Sequence, residues 1–331
     1  MINDLEAAWQ EIESKKAEGS SEYVKMVCPD LLCRVYIGIT GIPSKRYIIF
    51  EIPEAEKHQF DAFVEPKGFK LSLEETVVKH SGYVSCIMQA SSSANNDVFS
   101  IVVSDIIDAV RSEDDPCDYV QTLRETIEKW REFFRSAAQK ILSDKQIIGL
   151  FGDLSFLKQA MEAGVDFAPD MWNGPLRAPQ DFQGEKTAVE IKSVSTNVIK
   201  SVHISNEAQL DNSKYDRLYL SVYRIERNDK KGVTLPELAE NIASAMIPAR
   251  RKRFYAKLTC GGYDREKAVE LYTRGYLVRE NVSYRVEDDF PKIARDMLPA
   301  GISEVEYILN LQACENSRTS FESVLESVKE G

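Results

Sequence analysis

Between Asp181 and Lys192 the chain gathers residue types that can do hydrolytic chemistry. Asp181 comes first, Gln183-Gly184 supplies a turn, and Thr187 to Ser193 alternates β-forming residues, which predicts a strand. Side chains on a strand alternate faces. Val189 and Ile191 therefore point one way, into a core, while Glu190 and Lys192 point the other way together. Two carboxylates and an ammonium at one end of a hairpin can hold a hard cation beside a proton-handling group. The same Glu-x-Lys pattern also stands on solvated sheet faces, where it is a weak surface ion pair.

Several elements must position these groups. Ser143 or Asp144 can cap a helix whose apolar side is Ile147, Ile148, Phe151, Leu154 and Leu157, with Asp153 at the margin of that stripe. Val165 to Phe182 is expected to hold a first core strand, the Trp172-Asn173-Gly174-Pro175 turn and a strand bearing Asp181. Val198 to Ser205 reads as a further strand, and Asn206 to Leu210 as a short helix or turn carrying Gln209. Leu218 to Tyr223 reads as a buried strand and Leu235 to Ile247 as a helix.

A helix acid, an acid before a strand, Glu-x-Lys on the next strand and then a polar helix: this order resembles the PD-(D/E)XK nuclease superfamily. It is most similar to a bacterial family of PD-(D/E)XK-motif proteins whose pattern runs Gly-Leu-x-Gly-Glu-Leu, Trp-x-Gly-Pro, Asp-Phe, Glu-x-Lys-Ser and Gln-Leu-Asp. Here the segments are Gly149–Leu154, Trp172–Pro175, Asp181-Phe182, Glu190–Ser193 and Gln209–Asp211. The helix Glu of that pattern is Asp153 here, one methylene shorter.

The resemblance implies an α/β fold with a restriction-endonuclease-like core, a mixed central sheet flanked by helices. It implies Asp181, Glu190, Lys192, Asp153 and Gln209 as catalytic positions. Asp181, Glu190, Asp153 and the Ile191 carbonyl would serve as metal ligands, with Mg²⁺ or Mn²⁺ as cofactor. Lys192 would orient or deprotonate water, its pKa lowered by the cation and by burial. The implied function is a DNA endonuclease subunit of an anti-phage or restriction system, beside ATPase- or helicase-type partners; a homodimer is compatible with it. The alternatives are a catalytically silent DNA-binding or assembly subunit and an RNA-directed nuclease.

The rest of the chain sets bounds. Its 331 residues suffice for more than one domain. Three parts are expected: a β-rich α+β domain over 1–111, the nuclease core with a leading helix over 117–225, and a helical extension over 226–331. The formal charge of −11 argues against indiscriminate DNA binding and suits a subunit handed its substrate by a partner. Six scattered cysteines form no Cys-x-x-Cys, so buried thiols are expected. His58, His80 and His203 stand alone and read as structural or exposed. No stretch is long and apolar enough to span a membrane, and the acidic start lacks an apolar signal region, so a cytoplasmic location is expected. From Arg250 to Arg285 ten basic and four acidic residues give a local +6, interleaved with tyrosines. Arg250, Arg251, Lys252 and Arg253 are its densest run and the candidate grip on a nucleic-acid backbone.

Overall fold

The computed structural model of the protein describes residues 2–17, 24–60, 69–74, 81–92, 95–137, 141–176 and 178–331. The polar linker expected over 18–22 lies outside them. The fold is mixed α/β and divides into two compact units, Met1–Lys140 and Ile141–Gly331.

The first unit opens with α1 (Ile2–Ala17). A five-stranded antiparallel sheet follows: β1 (Val24–Val27), β2 (Val35–Thr40), β3 (Lys45–Pro53), β4 (Phe69–Glu74) and β5 (Tyr83–Ala90), in the order β1-β2-β3-β5-β4. It ends with α2 (Asn96–Val110) and α3 (Pro116–Ala137). The expected boundary near residue 111 is therefore corrected. The amphipathic helix that was to lead the nuclease core belongs to the first unit, because its apolar stripe of Val120, Leu123, Ile127 and Trp130 is buried there.

The second unit begins with α4 (Asp144–Glu162). Ser143 caps it by a reciprocal box: Gln146 N donates to Ser143 Oγ at 3.4 Å, and Ser143 N donates to Gln146 Oε1 at 3.0 Å. A short helix α5 (Ala168–Met171) comes next, then β6 (Phe182–Gln183), β7 (Thr187–Val194), β8 (Ser201–Ile204) and β9 (Arg217–Arg227). The chain continues through β10 (Val233–Thr234), α6 (Leu235–Ser244), α7 (Pro248–Cys260), α8 (Ala268–Leu271) and β11 (Gly275–Arg285). It closes with β12 (Tyr307–Asn310), β13 (Arg318–Thr319) and α9 (Phe321–Lys329). The main sheet runs β10-β11-β9-β7-β6 with β13 on β11, and β7 and β9 are its parallel pair. β8 and β12 form a separate two-stranded ribbon.

Two expectations are corrected here. Among the described residues the first core strand expected within 165–182 does not form; that stretch holds α5, a 3-10 turn at Gly174–Leu176 and a bridge between Trp172 and Phe182. Pro169 and Pro175 each lack the N–H that a ladder needs. Nor is 226–331 a separate helical extension, since β11 lies beside β9 along its length in the main sheet. Its polar and basic composition hid a strand whose middle, Val278 to Glu280, is exposed around a bulge while both ends are largely buried.

Both faces of the sheet are covered. Val189, Ile191, Tyr219 and Tyr223 pack against α4, α6, α7 and α9, whereas Ala188, Leu218, Leu220 and Val222 pack against Val202, Ile204, Leu210 and Leu309. The alternation of β7 was legible, but the side bearing Glu190 and Lys192 adjoins a second apolar cluster instead of open solvent. Late residues hold the turn end of the β6–β7 hairpin: Thr187 Oγ1 donates to the Ser327 carbonyl at 3.1 Å, and the Tyr219 and Ser327 hydroxyls share a hydrogen bond of 2.8 Å.

Gly152 sets the approach of α4 to β7. A Cβ built there would stand 1.9 Å from Ser193 Oγ. Gly152→Ala should therefore destabilise the protein by about 1–3 kcal/mol despite the better helix propensity of Ala. Adding Ser193→Ala removes the obstructing oxygen and should recover most of the loss in denaturant titrations.

Candidate active site

The hairpin brings the predicted residues together. Asp181 immediately precedes β6, and its Oδ2 accepts the backbone N–H of Ile191 on β7 at 2.8 Å. Glu190 is 1 % exposed, and its Oε1 lies 2.8 Å from Lys192 Nζ. The same ammonium donates to Gln209 Oε1 at 2.8 Å, and that oxygen also accepts Ser205 N at 2.9 Å. Asp153 reaches the group from α4 and accepts Trp172 Nε1 at 3.3 Å. Gly174 fits between two of the acids: a Cβ there would stand 2.6 Å from Asp181 Oδ1 and 2.9 Å from Asp153 Oδ2. All five predicted catalytic residues line one cleft of about 440 Å³, together with Ile191, Lys145, Gly149, Ser201 and His203.

Burial and mutual repulsion set the electrostatics. Burial pushes Glu190 up to about 8, with the Asp181 carboxylate adding to the rise. Burial raises Asp181 to about 6 against the pull of Lys192 and the Ile191 N–H. Asp153 lies well above the ordinary aspartate value through burial and then the charge of Asp181. For Lys192 the expected lowering joined a cation to burial, and without the cation its acid neighbours decide the balance. Burial does depress it, but the Glu190, Asp181 and Asp153 carboxylates together outweigh burial and hold it above the ordinary lysine value. In this setting it is an ammonium donor rather than a neutral base.

The donor set fits a hard cation in part. Glu190 Oε2 is buried without a hydrogen-bond partner, and an oxygen left so is costly unless a ligand meets it. Among the described residues no group of three or more Asp, Glu, His or Cys is arranged to hold a metal ion. Mg²⁺ takes only one or two protein carboxylates and keeps several waters. Asp181 and Glu190 could meet that need, and Asp153, whose Oδ2 flanks Gly174 opposite Asp181 Oδ1, accepts Trp172 Nε1 beside them.

Other residues of the site carried little sequence signal. Gln180 Nε2 donates to the Ala208 carbonyl at 2.6 Å and so ties the segment before Asp181 to the turn bearing Gln209. Glu207 accepts Val305 N at 2.8 Å and fastens the other side of that turn. His203, read as isolated, lines the cleft and pairs with Glu306 at 3.3 Å; the alternation of β8 was the available clue.

The basic run is placed elsewhere: none of Arg250, Arg251, Lys252 and Arg253 lines the cleft. Arg250 and Arg253 both pair with Asp170, at 2.9 and 3.0 Å, and Arg251 Nε donates to the Ala243 carbonyl at 2.8 Å. Lys252 is exposed. Further along, Arg274, Arg279 and Arg285 pair with Asp144, Glu226 and Glu287. Much of the local positive charge is thus answered by acids from other segments. Lys257, one turn beyond Arg253, is buried and donates to the carbonyls of Pro169, Asp170 and Trp172 at 3.1, 3.1 and 2.6 Å. Burial pushes its ammonium down to about 8. Helix α7 therefore clamps the segment that presents Trp172 to Asp153.

An acid on a helix, an acid leading into a short strand and Glu-x-Lys on the next, gathered in one cleft of a mixed α/β unit, define a protein of the PD-(D/E)XK superfamily. Residues 5–312 match the family model described as "Putative PD-(D/E)XK family member, (DUF4420)", and the chain belongs to that family. No curated protein and no solved structure matches it.

Two outcomes follow from this geometry. Glu190 binds its proton more tightly folded, at about 8, than at the ordinary value of 4.5. Its contribution to stability is therefore present below pH 4.5 and is lost as pH rises toward 8, at about 1 kcal/mol per pH unit within the window. In chelator, the stability of Glu190→Gln relative to wild type should rise across that window in denaturant titrations; a pH-independent difference would remove the shift. Separately, Arg250→Gln combined with Arg253→Gln should lower stability by about 1 kcal/mol through loss of the Asp170 pairs. The salt slope of nucleic-acid binding should stay unchanged; a drop of about 0.9 per lost contact would return these arginines to phosphate binding.

Proposed function

We propose that the protein is a metal-dependent nuclease that hydrolyses DNA phosphodiester bonds, working as the nuclease subunit of a bacterial anti-phage or restriction system. The observation that carries this reading is the Lys192 ammonium, held between Glu190 Oε1 and Gln209 Oε1 in the cleft lined by Asp181 and Asp153. Such a cluster is costly to bury, because each acid is raised in pKa by its surroundings. A bound cation would offset that cost and would let the anionic phosphodiester approach the acids.

Asp181 and Glu190 would hold Mg²⁺ or Mn²⁺ with the Ile191 carbonyl. When bound, the ion supplies charge neutralisation at the phosphoryl oxygens. Lys192 carries its proton and acts as a fixed donor toward the attacking water or the charge growing on phosphorus. Gln209, itself fixed by Ser205 N and by the Gln180 tie, sets where that donor points. Asp153, aligned by Trp172, orients water at the other side of the cleft. Water adds to phosphorus, the bond to the leaving sugar oxygen breaks, and that oxygen takes a proton.

The net charge of −11 supports action with a partner that brings the DNA, of ATPase or helicase type, in the cytoplasm. Lys192→Ala should leave DNA binding largely intact, since one phosphate contact is a small part of affinity. Cleavage of plasmid with Mg²⁺ or Mn²⁺ should fall by a factor on the order of 100–1,000. If wild type cleaves nothing with either ion and its partners present, while Lys192→Ala supports the same cellular phenotype, the chain is an assembly subunit with a silent site.

A further inference from the structure

Helix α4 contains two interior glycines, and only one is explained by packing. Glycine is among the costliest residues in a helix interior. At Gly152 the cost has a reason, because Ser193 Oγ occupies the place of a side chain. At Gly149 it has none: a Cβ built there meets no described atom within 4 Å. Yet Gly149 lines the cleft that holds Asp153, Asp181, Glu190 and Lys192. The fold does not need the missing side chain, but the cleft gains room from it.

The position of Gly149 says what the room is for. Asp153 is four residues on and Lys145 four residues back, so all three lie along one side of α4 at intervals of about 6 Å. Lys145 is exposed and lines the same cleft. A path along the helix therefore meets a cation, then bare backbone, then the acids. Ser201 and His203 of β8 also line the cleft. The buried and unpartnered Glu190 Oε2 is an independent sign that this cleft is built around something the chain itself does not supply.

Resting on the nuclease reading, we infer that Gly149 is the seat of the substrate strand. The sugar–phosphate backbone next to the scissile phosphodiester lies against the bare α4 backbone at Gly149, with its neighbouring phosphate on Lys145. Glycine is required there so that a bulky sugar can come close enough for the phosphodiester to reach the acids one turn away.

The test uses the full chain and Gly149→Ala and Gly149→Leu, both better helix formers than glycine. Melting temperature, Mn²⁺ binding by titration calorimetry, anisotropy of labelled single- and double-stranded DNA and single-stranded RNA, and single-turnover cleavage are measured. The expected result is a graded loss of cleavage, on the order of 100-fold for Gly149→Leu and smaller for Gly149→Ala. Oligonucleotide affinity weakens in parallel, Mn²⁺ affinity is kept, and the melting temperature is equal or higher. A purely structural glycine would give the opposite pattern, with lowered melting temperature in both variants, and that result overturns the inference. Wild-type cleavage and binding in Gly149→Leu overturn it alone and leave the nuclease reading standing. If wild type itself neither binds nor cleaves any of the oligonucleotides, the nuclease reading falls and the inference falls with it.

Discussion

Three carboxylates and one ammonium are pressed together at the end of the β6–β7 hairpin, and their repulsion is the force the surrounding structure must oppose. Glu190 is fully sunk, so it cannot lower its energy by turning to water. Lys192 answers part of the negative charge, and the Ile191 N–H answers another part at Asp181. What remains is relieved by proton uptake at the raised acids or by a cation. Bonds leading away from the cluster fix its geometry: Trp172 to Asp153, Gln180 to the turn of Gln209, and Glu207 to the chain at Val305.

The clamp from α7 belongs to the same system. Lys257 places a buried positive charge on three carbonyls at the end of α5, where a helix presents unpaired oxygens. Arg250 and Arg253 close on Asp170 of the same short helix. The α5 segment is a single helical turn with its own backbone bonds, such as Trp172 N to the Ala168 carbonyl, and these cations fix its end in place. Trp172 and Gly174 inherit that placement, and through them so do Asp153 and Asp181. A run of charge that looked like a surface for an external polyanion is largely turned inward onto its own chain.

Much of the site was legible because its signals are local. The period-two pattern of β7 and the Ser143 cap each act over a few residues and lie where the pattern puts them, while the turn expected at Gln183-Gly184 falls slightly later, over 184–186. The motif order then brought Asp153, Asp181, Glu190, Lys192 and Gln209 to one cleft. What was not legible depends on distance along the chain. No local feature of Arg250 announces Asp170, 80 positions earlier, as its partner. No periodicity of 165–182 announces that its backbone is satisfied by a lysine side chain instead of a neighbouring strand. β11 was missed because a bulge and an exposed charged middle, Val278 to Glu280, break the period-two pattern that would mark a strand. The division into units was missed because the pattern of α3 shows that one side is apolar, not which core receives it.

The anchoring of the hairpin's turn end by α9 has a consequence for synthesis. Thr187 is held by a carbonyl 140 positions later. Glu190 and Lys192 of β7 thus leave the ribosome well before the residue that ties down their strand. At translation rates of about 5–20 residues per second, this interval is on the order of ten seconds. Through that interval the nascent chain carries the chemical groups of the cleft without the finished frame around them. A chain broken off before residue 327 would keep every motif residue of the site and lack the tie that secures its hairpin. The frame around the cleft is therefore complete only once translation has passed residue 327.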